Sequence, residues 1–380
     1  MRADPSLRVL VPSRVPLPVP GEHDVLVQVL ACGVCRTDIH IVDGELPPHR
    51  DHVVPGHEVV GRVVARGARA RRFAPGDRVG IPWLGGVCGH CGFCQSSREN
   101  LCDHPVFTGY DRDGGFAEYA AANEGFCFAL PAGYDDVHAA PLLCAGLIGF
   151  RAWRMAGATT PRRLGLYGFG AAAHIVCQLA AAQGQEVFAF TREGDFTGQA
   201  FARSLGAAWA GSPRLGPPGP LDAAIIFAPA GELVPAALAA TSKGGVVVCA
   251  GIHMSDIPSF AYRLLWGERV VRSVANLTRA DGDAFFKLLG NLTLQTYVRS
   301  FPLRDANAAL QAVRLGNVSG AAVLVPGQQI TGASLLQINQ GSERSAYIES
   351  AATGSPVNAP SPRPLSSDPV IQTPHLKGKS

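Results

Sequence analysis

The sequence predicts an α/β protein in which a β-rich part is followed by a doubly wound parallel sheet. Three observations carry that prediction. After about residue 140, continuous apolar strands alternate with helix-length segments, as in a sheet covered on both faces. The first strand of that series runs into Gly168-x-Gly170-x-x-Ala173, the G-x-G-x-x-G/A turn that opens a nucleotide-binding βαβ unit. Before residue 140, short β-branched runs are punctuated by Gly and Pro, as in a compact β fold.

The elements follow in order. Val25–Leu30 alternates weakly, Val59–Val64 is β-branched, the Gly76-Asp77 turn leads into Arg78–Ile81, and Phe116–Ala121 follows a Gly-Gly turn; each is expected as a strand. Ala139–Met155 reads as a helix. The alternating part then gives strands at Leu164–Tyr167, Glu186–Thr191, Leu221–Phe227 and Val246–Ala250, with helices at Ala171–Gln183, Phe196–Leu205 and Leu233–Thr241. Gly211–Pro220, rich in Gly and Pro, is expected as an exposed loop, and Val270–Val274 with Asp281–Leu289 extends the nucleotide part. From Gly327 the chain is rich in Ser, Pro, Gly, Gln and Asn, a composition that cannot bury a core, so 327–380 is expected to be a disordered tail. Ile330–Ile338 is its one mildly apolar stretch and offers a docking strand.

Composition narrows the function classes. A net charge of +3 is too small to imply a nucleic-acid or membrane surface. The run Arg66, Arg69, Arg71, Arg72 is interleaved with Ala and Gly and reads as a solvated turn. No apolar stretch of about 20 residues is present, and the Pro-broken N-terminus lacks a signal-peptide core. Cys32, Cys127, Cys177 and Cys249 read as buried thiols, a usage that suits a reducing cytosol.

Cys88, Cys91, Cys94 and Cys102 stand in VCGHCGFCQSSRENLC, a C-x2-C-x2-C-x7-C spacing. Short loops between four thiolates let one segment wrap one Zn²⁺ in a tetrahedron, so the spacing predicts a structural zinc. At the nucleotide turn, Gly168 permits the tight bend, Gly170 lets the backbone approach a pyrophosphate at a helix N-terminus, and Ala173 is small enough for helix–strand packing. The second strand of the unit ends Phe190-Thr191-Arg192, where an acidic residue would take the ribose hydroxyls of NAD. Thr191 and Arg192 suit a 2′-phosphate, so the reading leans to NADP within NAD(P), while Glu193 one residue on still offers a contact for NAD.

The segments GVCRTDIH, PGHEVVGRV, GDRVGIPWL, CGHCGFC, ENLC, GGFAEYA, APLLCAG and LYGFGAAAH occur in that order. Over about residues 20–326 the chain resembles the zinc-dependent alcohol dehydrogenases of the medium-chain dehydrogenase/reductase superfamily, bacterial type. The resemblance implies a GroES-like catalytic domain over 1–150, a Rossmann-type NAD(P) domain over 151–295, and a return of the chain to the first domain over 296–326 through helix Ala306–Leu315 and strand Ala321–Val325. It implies a second, catalytic zinc on Cys35, His57 and Cys144, with Glu58 as a conditional ligand; for Glu58 a buried ion pair with an arginine is the alternative. Asp38 is the candidate that orients His57 by accepting its second N–H.

Thr37 and His40 match the family's proton relay, and histidine as a residue type titrates in the range such a relay needs. Trp83 and Leu46 match substrate-pocket positions, the indole favouring slender alcohols and the leucine a pocket longer on its side. The implied activity is reversible hydride transfer between a primary or simple secondary alcohol and NAD(P)⁺, giving aldehyde or ketone, with two zinc ions per chain. An NADPH-dependent aldehyde reductase and a non-catalytic nucleotide-binding relative are the alternatives. Relatives are dimers or tetramers, so a homo-oligomer in the cytoplasm acting on a small alcohol or aldehyde is expected, with neither nucleic acid nor membrane as partner.

Overall fold

The structure is a computed structural model of the chain, and it describes residues 1–4, 6–160 and 162–327. The expected disorder beyond Gly327 and the Ile330–Ile338 strand lie outside the described residues. Strands β1 (Arg2–Asp4) and β2 (Val9–Val11) form a small antiparallel pair. Strand β3 (Asp24–Val34) leads into helix α1 (Arg36–Val42), then β4 (Val59–Arg66) and β5 (Arg78–Ile81). Strands β6 (Leu84–Gly86) and β7 (Val106–Phe107) pair at the base of a cysteine-rich lobe that holds α2 (Gly92–Gln95). After β8 (Tyr119–Asn123) and β9 (Phe128–Ala129), helices α3 (Asp136–Ala139) and α4 (Ala145–Met155) lead to the second sheet.

That sheet is built from β10 (Arg163–Tyr167), α5 (Ala171–Ala182), β11 (Glu186–Phe190), α6 (Phe196–Ser204), β12 (Ala207–Gly211), β13 (Leu221–Ile226), α7 (Leu233–Ala240), β14 (Thr241–Cys249) and β15 (Val270–Ser273). Its strand order is β12-β11-β10-β13-β14-β15, parallel throughout. This is the doubly wound 3-2-1-4-5-6 order, whose switch point lies between its first and fourth strands, here β10 and β13. Leu164, Leu166, Ile225 and Val248 of its strands are fully buried with Ile175, Val176 and Leu179 of α5. Each such side chain contributes about 1.5–3 kcal/mol on burial, which is why these strands read as unbroken apolar runs.

Helix α8 (Arg279–Leu289), strand β16 (Val298–Pro302), helix α9 (Ala306–Arg314) and strand β17 (Ala321–Val325) complete the described chain. The larger sheet has the order β16-β17-β3-β4-β5-β9, with β8 also on β3. Strand β17 pairs antiparallel with β3, Ala322 opposite Val34 and Leu324 opposite Cys32. The cysteine lobe is tied to the segment between β15 and α8: Asn100 Nδ2 donates to the Ala275 carbonyl at 2.7 Å, and the Arg279 N–H to Glu99 Oε1 at 3.0 Å.

Several expectations are corrected. The single helix over Ala139–Met155 is broken: a 3₁₀ turn covers Ala140–Leu143, Pro141 has no N–H to donate, and Cys144 leaves helical space (φ −129°, ψ −68°) before α4 starts. The strand expected from Phe116 begins at Tyr119, because the Gly114, Gly115 and Phe116 N–H groups bond to the carbonyls of Val54, Gly56 and Pro55 instead of to the sheet. Strand β14 starts at Thr241, earlier than Val246, across a register shift against β13. Strand β12 takes Gly211 out of the expected loop, and β16 was not anticipated.

Candidate active site

In the lobe between β6 and β7, Cys88 and Cys102 sulfurs lie 3.5 Å apart, Cys91 and Cys102 3.9 Å, and Cys88 and Cys94 4.0 Å. Two sulfurs each about 2.3 Å from one tetrahedral centre stand about 3.8 Å apart, so the donor set fits zinc. Backbone N–H groups of Cys88 and His104 point at Cys102 Sγ, and that of Cys91 at Cys88 Sγ. The Asp103 N–H, with that of Cys94, pulls the Cys91 thiol down to about 6, whereas desolvation and then the neighbouring thiols push Cys94 up to about 12. Four thiolates this close cannot all ionise unless a cation joins them, which is what a metal supplies. His90 and His104 stand outside the four-cysteine set.

The second cluster gathers three distant segments. Cys35 caps α1 where β3 ends, His57 and Glu58 precede β4, and Cys144 sits in the break before α4. Their candidate ligand atoms all lie within 4.8 Å of one another, with the Cys35 and Cys144 sulfurs 3.7 Å apart. His57 is buried, and its Nε2 has no hydrogen-bond partner among the described residues. A buried imidazole nitrogen facing two thiols is costly unless it has a partner, and a metal ion satisfies it. Burial opposes a charged His57, but the Asp38 carboxylate and the Cys35 sulfur outweigh it and hold the imidazole well above its usual value. Burial and then the Cys35 charge push the Glu58 carboxyl well above the carboxylate range. The Glu58 shift is thus first a matter of burial, and the His57 shift of the carboxylate and sulfur beside it.

Asp38, fully buried on α1, holds this cluster together. Its Oδ2 accepts the Cys35 N–H at 2.8 Å and its Oδ1 accepts the Gly56 N–H at 3.1 Å. Oδ1 also lies 3.2 Å from His57 Nδ1, at ion-pair distance but outside hydrogen-bond alignment. Glu58 has no arginine partner among the described residues. Its carboxylate fills the space over Gly33, where an added Cβ would meet Glu58 Oε2 at 1.8 Å. The requirement for glycine at 33 and the backbone grip of Asp38 were both missed in the sequence, since each depends on a partner distant in the chain or on hydrogen-bond geometry.

Thr37 is buried with its hydroxyl 3.7 Å from Cys35 Sγ. His40, one turn on along the same face of α1, has Nδ1 in a short contact with Glu45 Oε2. That carboxylate was not anticipated; a glutamate in a turn gives no sequence signal. Trp83 stands edge-on to the His57 ring at 4.8 Å and stacks on Phe107 at 4.9 Å, with Tyr110 at 6.0 Å. Leu46 lines a small cavity with Ile41, Pro48, His49 and Tyr110, and Trp83 does not border that cavity.

At the switch point of the parallel sheet, Gly168 has φ +88°, and a Cβ there would lie 2.8 Å from the Ala228 N. Gly170 caps α5 with open space where its Cβ would be, and Ala173 is fully buried. Backbone can thus approach a pyrophosphate at the helix N-terminus. Thr191 is buried after β11, its hydroxyl donating to the Arg192 carbonyl at 3.2 Å and accepting from Gln199 Nε2 at 3.2 Å. Arg192 is exposed and has no carboxylate partner among the described residues, whereas Glu193 lies 3.5 Å from Arg214.

A thiolate–imidazole cage together with a 3-2-1-4-5-6 sheet and its glycine turn defines a metal-assisted, dinucleotide-dependent oxidoreductase. Residues 21–132 match the alcohol dehydrogenase GroES-like domain. The chain is 47% identical over 321 residues to a probable alcohol dehydrogenase, AdhA, of Mycobacterium tuberculosis, covering 83% of this chain and 92% of that protein. Among solved structures, a cinnamyl alcohol dehydrogenase from Sorghum bicolor superposes with TM-score 0.79 at 26% identity, over 87% of this chain and 98% of that one. A putative zinc-binding dehydrogenase from Sinorhizobium meliloti 1021, bound to NADP, gives TM-score 0.72 at 28% identity, over 82% and 94%. The chain belongs to the zinc-dependent alcohol dehydrogenase family of the medium-chain dehydrogenase/reductase superfamily, and it is an alcohol oxidoreductase.

Proposed function

We propose that this enzyme interconverts primary or simple secondary alcohols with their aldehydes or ketones, using NADP(H) in preference to NAD(H), with one catalytic and one structural zinc per chain. The observation that carries the reading is the cage itself: two sulfurs at 3.7 Å and a buried His57 Nε2, without a hydrogen-bond partner among the described residues, beside the Trp83 ring. Cys35, His57 and Cys144 would hold the catalytic zinc, with Glu58 as the conditional donor, and Cys88, Cys91, Cys94 and Cys102 the structural one. Bound there, zinc would supply a Lewis acid for the alcohol oxygen, and Gly168, Gly170 and Ala173 would seat a nicotinamide nucleotide that supplies the hydride acceptor.

The protein's own groups do the rest. Asp38 fixes the Cys35 backbone and faces His57, so thiolate and imidazole are set before a metal arrives. The Thr37 hydroxyl, between the cage and the next turn of α1, passes the alcohol proton outward to His40. Glu45 accepts from His40 Nδ1, which leaves Nε2 as the nitrogen that receives that proton. Trp83, stacked on Phe107, walls the space beside His57 and favours slender alcohols. Leu46 would lengthen the pocket on its side only if a substrate reaches past Tyr110.

Arg192, exposed and without a carboxylate partner among the described residues, stands beside the buried Thr191 and supports a 2′-phosphate partner. It also favours, as a second reading, an enzyme working chiefly as an NADPH-dependent aldehyde reductase. The preservation of both ligand sets opposes a non-catalytic role. The return of β17 to β3 supports a division into a catalytic part over 1–150 and 296–326 with the nucleotide part at 151–295 between them. A cytoplasmic homodimer or homotetramer completes the proposal.

The test is initial rates of NAD⁺ and NADP⁺ reduction over a short alcohol series, with the reverse reaction on the matching aldehydes, on protein assayed for zinc and on Cys35→Ala. Turnover that disappears in the variant, with NADP⁺ the better acceptor, is the expected result. A zinc-replete parent inert in both directions would overturn it.

A further inference from the structure

The loop that follows β14 leaves the carboxyl edge of the parallel sheet, the edge where ligands of such sheets bind. One residue of this loop reaches across to α1. His253 places its ring 5.7 Å from the His40 ring, tilted by 50°. His253 is exposed, whereas the His40 side chain is only 13% exposed, so the two imidazoles run from the interior towards solvent. Their separation is one that a single water spans.

The groups that reach the pair are few. Glu45, from the turn after α1, contacts His40; that hydrogen bond, and then the charges of His40, His253 and Arg8, hold its carboxyl below the ordinary value. Asp43 on the same turn is taken by Arg314 at 2.6 Å. Asp38 on α1 is turned inward to Cys35, Gly56 and His57.

We propose that His253 is the outer station of the proton path, receiving from His40 the proton released by the alcohol and handing it to solvent. This rests on the relay role given above to Thr37 and His40. The step is a proton transfer alone. His40 Nε2 takes the proton arriving by way of the Thr37 hydroxyl while its Nδ1–H stays on Glu45. The Nε2 proton then leaves through a water to a free nitrogen of His253, and bulk water or buffer removes it. No electron moves at this stage. Glu45 offsets the single positive charge the two rings share in transit. Because His40 sits on α1 and His253 on the loop after β14, the path is complete only while that loop lies over the helix.

The experiment uses full-length, zinc-replete enzyme with His253→Asn, His253→Phe and, as reference, His40→Asn. It measures kcat and kcat/KM for alcohol oxidation against pH, with and without added imidazole, together with zinc content and NADP⁺ affinity by fluorescence titration. Phe keeps a ring for packing but offers no nitrogen. If His253 carries the proton, both 253 variants lose about three- to tenfold in kcat at the acid end of the profile, a small part of the about 10²–10⁴ a positioned acid–base group contributes. The loss closes at high pH, imidazole restores it, and zinc content and NADP⁺ affinity stay at the parent's values. Parent-like profiles in both 253 variants, with His40→Asn slow, would overturn the outer station and leave the relay standing. A Phe variant with full activity beside an impaired Asn variant would reduce His253 to packing and also overturn it. A His40→Asn enzyme as fast as the parent would remove the relay itself, and the proposal with it.

Discussion

Replacing Asp38 by Asn separates the orientation of the catalytic cage from its composition, since every candidate ligand remains. Asp38 accepts two backbone N–H groups, at 2.8 and 3.1 Å, and stands 3.2 Å from His57 Nδ1. An Asn at 38 has one acceptor oxygen, so its amide NH₂ must face the N–H of either Cys35 or Gly56. One charge-assisted hydrogen bond is lost in a fully buried site, a cost of about 1.5–3 kcal/mol in stability. Loss of such an orienting partner lowers metal affinity by about 10- to 100-fold, equivalent to about 1.4–2.7 kcal/mol. The assay is chelator competition followed by zinc analysis, with urea unfolding of the metal-loaded protein. The lobe cysteines serve as the internal standard, because Asp38 touches none of them. The variant should release one zinc at a chelator concentration about 10- to 100-fold below that needed by the parent, and keep the other. Release of both ions at the parent's concentrations, with unfolding unchanged, would refute the orienting role.

Further outcomes follow from other sites. Gly168→Ala forces a left-handed φ of +88° on a side chain whose Cβ would lie 2.8 Å from the Ala228 N; it should cost at least about 1–2 kcal/mol of stability and weaken nucleotide binding, read by thermal unfolding and fluorescence titration. Arg192→Ala should raise the KM for NADP⁺ about tenfold, the order of one charge-assisted contact, and leave NAD⁺ kinetics unchanged. Gly33→Ala should displace the Glu58 carboxylate from its place over β3, seen as altered chelator resistance of the catalytic zinc with the lobe zinc retained. Desolvation pushes the buried His174 down to about 4, from an ordinary value of 6.5. Between those values the unfolded chain binds the proton and the folded one does not, so stability falls as pH drops from about 6.5 to 4, by about 3 kcal/mol in all. Denaturant titrations across that window should show a shallower fall in His174→Leu.

What was legible in the sequence was what is local in it. Four cysteines between positions 88 and 102 announce one lobe, and the glycines of the nucleotide turn sit beside the strand and helix they join. The parallel sheet was readable because strands buried on both faces are apolar without interruption. Strand β12, Ala207–Gly211, escaped notice because its alanines and glycine carry little strand preference and gain it only by pairing with β11. The break at Cys144 was hidden by an apolar run that suits a helix as well as a bend, although Pro141 was its signal. Asp38 was named for the histidine it faces, yet its firmest bonds are to backbone N–H groups, which no sequence pattern displays. Glu45 and His253 flank His40 from two segments far apart in the chain, and only the folded chain brings them together.

The pairing of β17 with β3 has a consequence for how the enzyme is made. Leu324 lies opposite Cys32 and Ala322 opposite Val34, one residue before Cys35 caps α1. During synthesis β3 can pair with β4 and β8 first, and its edge towards β17 stays open until almost all of the described chain has emerged. At about 5–20 residues per second that is roughly 10–40 s after Cys144 is added. The nucleotide sheet, contiguous from β10 to β15, and the cysteine lobe, whose four thiols lie within residues 88–102 and whose ties run to Ala275 and Arg279, have their partners before then. The four lobe cysteines are thus together before the sheet that leads to Cys35 has its full set of strands, so the two candidate metal sites are completed at different moments. Termination before β17 would then yield a chain with a finished nucleotide sheet and an open edge on β3, one residue before Cys35.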